Sequence, residues 1–178
     1  MPAEHYAIEL VPHRAEWAEK ARTESARLRD AIGDLLITVH HIGSTAIPGI
    51  MAKPIVDLIP LVGSVEALDG AAPRIEALGY EYLGEFGLPG RRYCRLIDPV
   101  SGKRVFQLHC YQPDAPEFPR HLAFRDYLRA HPAIAQQYEA EKIRAAAVHP
   151  GDVLAYNNEK NNWIQRTQAD ALAWWKPD

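Results

Sequence analysis

Residues 40–58 read HHIGSTAIPGIMAKPIVDL, a segment in which two apolar runs meet through a glycine-hydroxyl turn and the second run carries a carboxylate. The first run, Leu35-Leu36-Ile37-Thr38-Val39, has the β-branched and aliphatic content of a buried strand and closes on His40 and His41. Gly43-Ser44-Thr45 supplies a flexible backbone with two hydroxyl donors, Pro48-Gly49 punctuates, and Lys53 leads into the second run with Asp57 inside it. A carboxylate in a strand is costly unless it is paired or has a task, which makes Asp57 the first candidate site residue.

Around this segment the periodicities predict alternating elements. From Pro12 the spacing of Trp17, Ala21, Leu28 and Ile32 gives a helix with one apolar stripe, stopped at Gly33. Strands are expected near 35–42 and 54–62, with Pro60 pointing to an edge position or a bulge near the end of the second. A helix over 64–78 starts at a Ser64 cap, places Val65, Leu68, Ala72 and Ile75 on one side, and closes at Gly79. Three more strands fall near 80–84, 91–97 and 103–111, the last two forming a hairpin across Asp98-Pro99-Val100-Ser101-Gly102. Beyond Pro116 helices are expected at 117–130, from Pro132 to about 147, and over about 151–174. The layout is an α+β domain, a mixed sheet with flanking helices and a C-terminal helical hairpin.

A chain of 178 residues, 47% apolar and 24% charged, fits one domain over 1–178 with a real core. A net charge of −3 argues against general nucleic-acid binding but leaves room for a local basic site. Cys94 and Cys110 are the only cysteines and lie in strand-like runs, which suits a reducing, cytoplasmic compartment. No stretch is long and apolar enough for a membrane span. The sequence does not specify an oligomeric state.

Strand, glycine-serine turn, and second strand with its acid resemble the phosphate-gripping entrance of the nucleotidyltransferase superfamily. More narrowly, HIGSTAIPG…AKPIVDL resembles the GrpB family, small proteins sometimes fused to dephospho-CoA kinase. GLPGRRYCR (87–95), VFQLHCY (105–111), FRDYLRAHP (124–132) and the Tyr156–Lys160 stretch match that family in order and spacing, so the resemblance covers nearly the whole chain. It implies a nucleotidyltransferase-like fold and the place of the site but no substrate; the leading expectation is that a nucleotide or coenzyme-A-like phosphorylated ligand binds between the sheet and the C-terminal helices.

Nucleotidyl transfer normally uses two or three carboxylates to hold divalent metal ions, Mg2+ above all. Here Asp57 stands alone, because the position two residues on, which shares its strand face, is Ile59. The strand 105–109 offers the completing residues: period two sets Gln107 and His109 on one face and Phe106, Leu108 and Cys110 on the other. The family tends to carry histidine at both polar positions, and Gln107 is a poor metal ligand. Three roles are open to His109: ligand for a transition metal, proton acceptor, or hydrogen-bond partner of Asp57. Gly43, Ser44 and Thr45 are expected to make an anion-binding nest. Lys53 and Arg92 are candidates for charge neutralisation, as is Arg125, which shares a helix face with Arg129. Tyr138 with Lys142 and Tyr156 with Lys160 repeat a Tyr-x-x-x-Lys spacing, and the family match sets Lys142 and Lys160 above the pocket. Three functions remain open at this stage. One is a nucleotidyltransferase with Asp57 and His109 as catalytic and metal-binding residues; another is a non-catalytic nucleotide-binding or accessory module; the third is an enzyme using Asp57 and His109 as an acid-base pair without metal.

Overall fold

The computed structural model describes residues 7–176. Helix α1 (Glu16–Ile32) buries Trp17, Ala21, Leu28 and Ile32 along the expected stripe and ends where Gly33 takes φ 52°. Glu24 joins the buried stripe. Its carboxylate accepts from the Tyr80 hydroxyl at 2.9 Å and pairs with Arg27 at 2.8 Å, which is how a charge is tolerated there.

Five strands follow: β1 (Leu36–Ile42), β2 (Val56–Val62), β3 (Tyr80–Tyr82), β4 (Arg92–Ile97) and β5 (Arg104–Cys110). They form one sheet in the order β1-β2-β5-β4-β3, antiparallel except for the parallel pair β2–β5. The parallel pair puts Asp57 directly beside Gln107, and the β4–β5 hairpin sets Tyr93 opposite His109. On one face Val56, Leu58, Val62, Cys94, Leu108 and Cys110 pack against α1 as the main core. The opposite face presents Asp57, Ile59, Leu61, Gln107, His109 and Tyr111 to the C-terminal helices, with Ile59, Leu61 and Tyr111 joining Ile42 and Leu122 in a second cluster.

Those helices are α4 (Phe118–Ala130), α5 (Pro132–Val148) and α6 (Val153–Trp174), the last capped by Asp152, whose side chain accepts from Ala155 N at 2.9 Å. A third cluster, Ile47, Ile50, Leu128, Ala135 and Tyr138, ties the segment between β1 and β2 to α4 and α5. None of the helices among the described residues is long and apolar enough to cross a membrane.

Two expectations are corrected. The single helix over 64–78 is two short ones, α2 (Val65–Gly70) and α3 (Ala72–Glu76), with Ala71 between them at φ −99°, ψ 4°. Pro73 has no N–H to give to the carbonyl four residues back, so the helix cannot run through. Pro60 is not at an edge, since β2 lies between β1 and β5. Its carbonyl accepts from Tyr111 N at 3.2 Å, so its missing N–H falls on the β5 side. There the regular register ends at Leu58↔Leu108 and resumes as an isolated bridge at Leu61↔Tyr111. The bulge belongs to β1, between Leu36 and Thr38.

Candidate functional site

The turn after β1 folds back over Asp57. Gly43 has φ 72°, and a Cβ there would meet Asp57 Oδ2 at 2.9 Å, so close approach of backbone to carboxylate requires glycine. Ser44–Ala46 forms a single 3-10 turn. From β5, His109 Nε2 lies 3.2 Å from Asp57 Oδ1, which brings the two leading sequence candidates into contact. Gln107 faces the same side, but its carbonyl oxygen accepts from the Tyr93 hydroxyl at 2.6 Å.

Asp57 lies on the wall of a cavity of about 250 Å3 between the sheet and α5 and α6. Gly43, Ser44 and Thr45 line one side, and Lys53, Lys142 and Lys160 reach it from three different segments. Both Tyr-x-x-x-Lys spacings set the ammonium over the ring face: Lys142 Nζ is 4.7 Å from the centre of Tyr138 and Lys160 Nζ is 4.0 Å from that of Tyr156. Lys53 Nζ approaches the Tyr156 ring as well, at 5.4 Å. Lys142, 2% exposed, also donates to the carbonyl of Met51. Lys160, 8% exposed, has no hydrogen-bond acceptor among the described residues. Burial pushes both ammonium groups down to about 7. The neighbouring lysine charges push Lys160 the same way while Asp57 opposes them.

Three expected anion contacts are engaged elsewhere. Thr45 is buried with its hydroxyl 2.8 Å from His41 Nε2. Burial and then Arg129 hold that imidazole at about 4, hence neutral. Arg125 donates to Asp126 Oδ1 at 2.7 Å and to the His41 carbonyl at 3.2 Å, and Arg129 donates to the Ala46 carbonyl at 2.7 Å. The pair thus pins α4 to the end of β1 and its turn. Arg92 grips Asp69 of α2 through two bonds of 2.7 Å on the other face of the sheet, away from Asp57. These arginines hold the scaffold. Arg104, at the head of β5, lines the cavity and was missed; in the sequence it reads as an ordinary strand-end cation.

A protein-held metal centre does not fit the residues present. Ile59 is fully buried in an apolar cluster, Gln107 is bonded to Tyr93, and no group of three His, Cys, Asp or Glu side chains that could hold a metal ion occurs among the described residues.

Residues 7–170 match the family model described as GrpB protein. The UPF0157 protein YqkA of Bacillus subtilis (strain 168) is 40% identical over 169 residues, 95% of this chain and 48% of its own length. A protein named dephospho-CoA kinase from Mycolicibacterium paratuberculosis is 29% identical over 96% of this chain and 48% of its own length. The chain thus spans about half of each of these relatives. Among solved structures, the conserved protein GrpB from Enterococcus faecalis superposes with a TM-score of 0.87 at 38% identity, covering 94% of this chain and all of that one. The Cid1 poly(U) polymerase, solved with Mg 3'-dATP bound, gives 0.55 at 15% identity over 84% of this chain and 49% of its own. That likeness shows a nucleotidyltransferase-type fold.

Proposed function

The chain belongs to the GrpB family, and from that premise we propose that it binds a nucleotide or a coenzyme-A-like phosphorylated ligand in the cavity beside Asp57. One observation carries the reading: three lysines from separate segments converge on a small cavity, and one of them, Lys160, is nearly buried without a hydrogen-bond acceptor among the described residues. An ammonium so largely desolvated, supported chiefly by the Tyr156 ring face, gains from an anionic ligand. Phosphate oxygens suit Lys53, Lys142 and Lys160, with backbone N–H groups of the Gly43–Ser44 turn beside them. The dephospho-CoA kinase relatives and the Cid1 fold support this ligand class.

A second reading, nucleotidyl transfer, is favoured by the contact of His109 with Asp57, the carboxylate that lines the cavity. An acceptor hydroxyl gives its proton to the Asp57 carboxylate, its oxygen attacks the α-phosphorus, and pyrophosphate leaves toward the lysines. His109 orients the carboxylate.

Thermal melts with each nucleoside triphosphate, coenzyme A and dephospho-coenzyme A test the binding reading. A ligand at about a hundredfold excess over Kd adds about 2.7 kcal/mol to the native state. Lys160→Met is expected to leave the ligand-free protein as stable or more so and to remove that gain. No shift with any of these compounds, or an undiminished shift in the variant, would sink it. Pyrophosphate release with Mg2+ present separates transfer from binding alone.

A further inference from the structure

His109 touches Asp57 through Nε2, and its other ring nitrogen points into a second polar spot that the ligand cavity does not include. From β5, His109 and Tyr111 project on the helix side of the sheet, and α4 sets His121 against both, with ring centroids 6.0 Å apart in each case. His109 Nδ1, Tyr111 Oη and His121 Nε2 are all buried, and none has a hydrogen-bond partner among the described residues. A buried polar atom without a partner is destabilising, so three of them on three neighbouring rings call for a shared partner.

We propose that His121 is a positioning residue for His109, acting through one internal water that also bonds Tyr111. This rests on the reading of Asp57 and His109 as the working pair of the site. The proton inventory closes. His109 Nε2–H donates to the carboxylate of Asp57, which leaves Nδ1 as a lone-pair acceptor. His121 Nε2–H donates to the water, the water donates to His109 Nδ1, and the Tyr111 hydroxyl completes its shell. About three bonds is the usual complement of a buried water, the number of polar atoms gathered here. Arg120 and Arg91 exert positive potential at His121, which favours a neutral water over a metal cation in this spot. The second imidazole thereby fixes the tautomer and ring orientation of the first, and so the face that His109 presents to Asp57.

The tautomers are read directly by long-range proton–nitrogen correlation spectra of ligand-free, nitrogen-15-labelled protein near neutral pH. The expected spectrum shows His109 as a single tautomer with its proton on Nε2, and cross-peaks from a long-lived water to the His109 and His121 ring protons. In His121→Phe the water peaks disappear and His109 becomes a mixture of tautomers; His121→Gln, whose amide can donate from the same place, restores the single form. A folded Phe variant with His109 unchanged would overturn the proposal. So would a wild-type His109 protonated at Nδ1, or wild-type ring protons without bound-water peaks, and these two outcomes decide the matter even if the Phe variant does not fold. No nucleotide enters the measurement, so a protein that binds none can still show the His109–water–His121 arrangement, and the reverse.

Discussion

A methyl group at position 43 would stand 2.9 Å from Asp57 Oδ2, on a backbone whose φ of 72° already disfavours L side chains. Gly43→Ala is therefore expected to lose about 1–3 kcal/mol, part from the left-handed backbone and part from pushing the carboxylate aside. Urea denaturation checks it: the midpoint should fall with an unchanged slope. The ligand-induced thermal gain should shrink as well, because the displaced carboxylate and turn line the same cavity. Gly43, Asp57 and His109 were legible because each breaks a local pattern, a glycine where a turn must tighten and polar residues inside apolar strands. Arginine is harder to place from sequence. The side chains of Arg92 and Arg125 are long enough to serve either a ligand or the scaffold, and what decides is a partner distant in sequence: Asp69 for the first, the His41 carbonyl for the second. Thr45 was ambiguous in the same way, since its hydroxyl is bonded to the preceding strand's His41.

Periodicity located the elements because each buries one face, but it carries no information about which strands become neighbours. That β2 pairs in parallel with β5 is what places Asp57 beside Gln107 and His109; the mixed sheet and the β4–β5 hairpin were readable beforehand, but this pairing was not. The short helix α2 has a fastening of its own: Asp69 receives two bonds from Arg92 of β4 and one of 2.9 Å from the Tyr82 hydroxyl of β3. Asp69 is 44% exposed on its side chain, so solvent screens the pair, and Arg92→Ala is expected to cost only about 1 kcal/mol. Ligand affinity should not change, because the guanidinium is on the far face of the sheet. Denaturation and ligand titration of this variant check both halves, and a loss of binding at unchanged stability would return Arg92 to the site.

The molecule as a whole is acidic, with net charge −3, yet its cavity gathers lysines, and this contrast gives its stability a particular pH dependence. Lys142 and Lys160 titrate at about 7 in the fold against an ordinary 10.5, so between those values the unfolded chain binds more protons and stability rises with pH. The slope is at most about 1.4 kcal/mol per pH unit per lysine. His41 at about 4 and His121 at about 3, both lowered chiefly by burial from 6.5, give the same sign in the acid range. Tyr80 and Tyr82 are raised by burial and by their carboxylate partners, Glu24 and Asp69, and they reverse the trend above their ordinary 10. The ligand-free melting temperature should thus climb from about pH 5 to about pH 9 and fall beyond about pH 10. A polyphosphate inverts the upper part of that range: its charge restores the protons of Lys142 and Lys160, so binding takes up protons and weakens as pH rises through about 7 and beyond. Calorimetric titrations near pH 8 in buffers of different ionisation enthalpy measure the proton count. Net uptake in the wild type that drops in Lys160→Met is the expected result, whereas binding without proton uptake would mean that the lysines do not face the ligand.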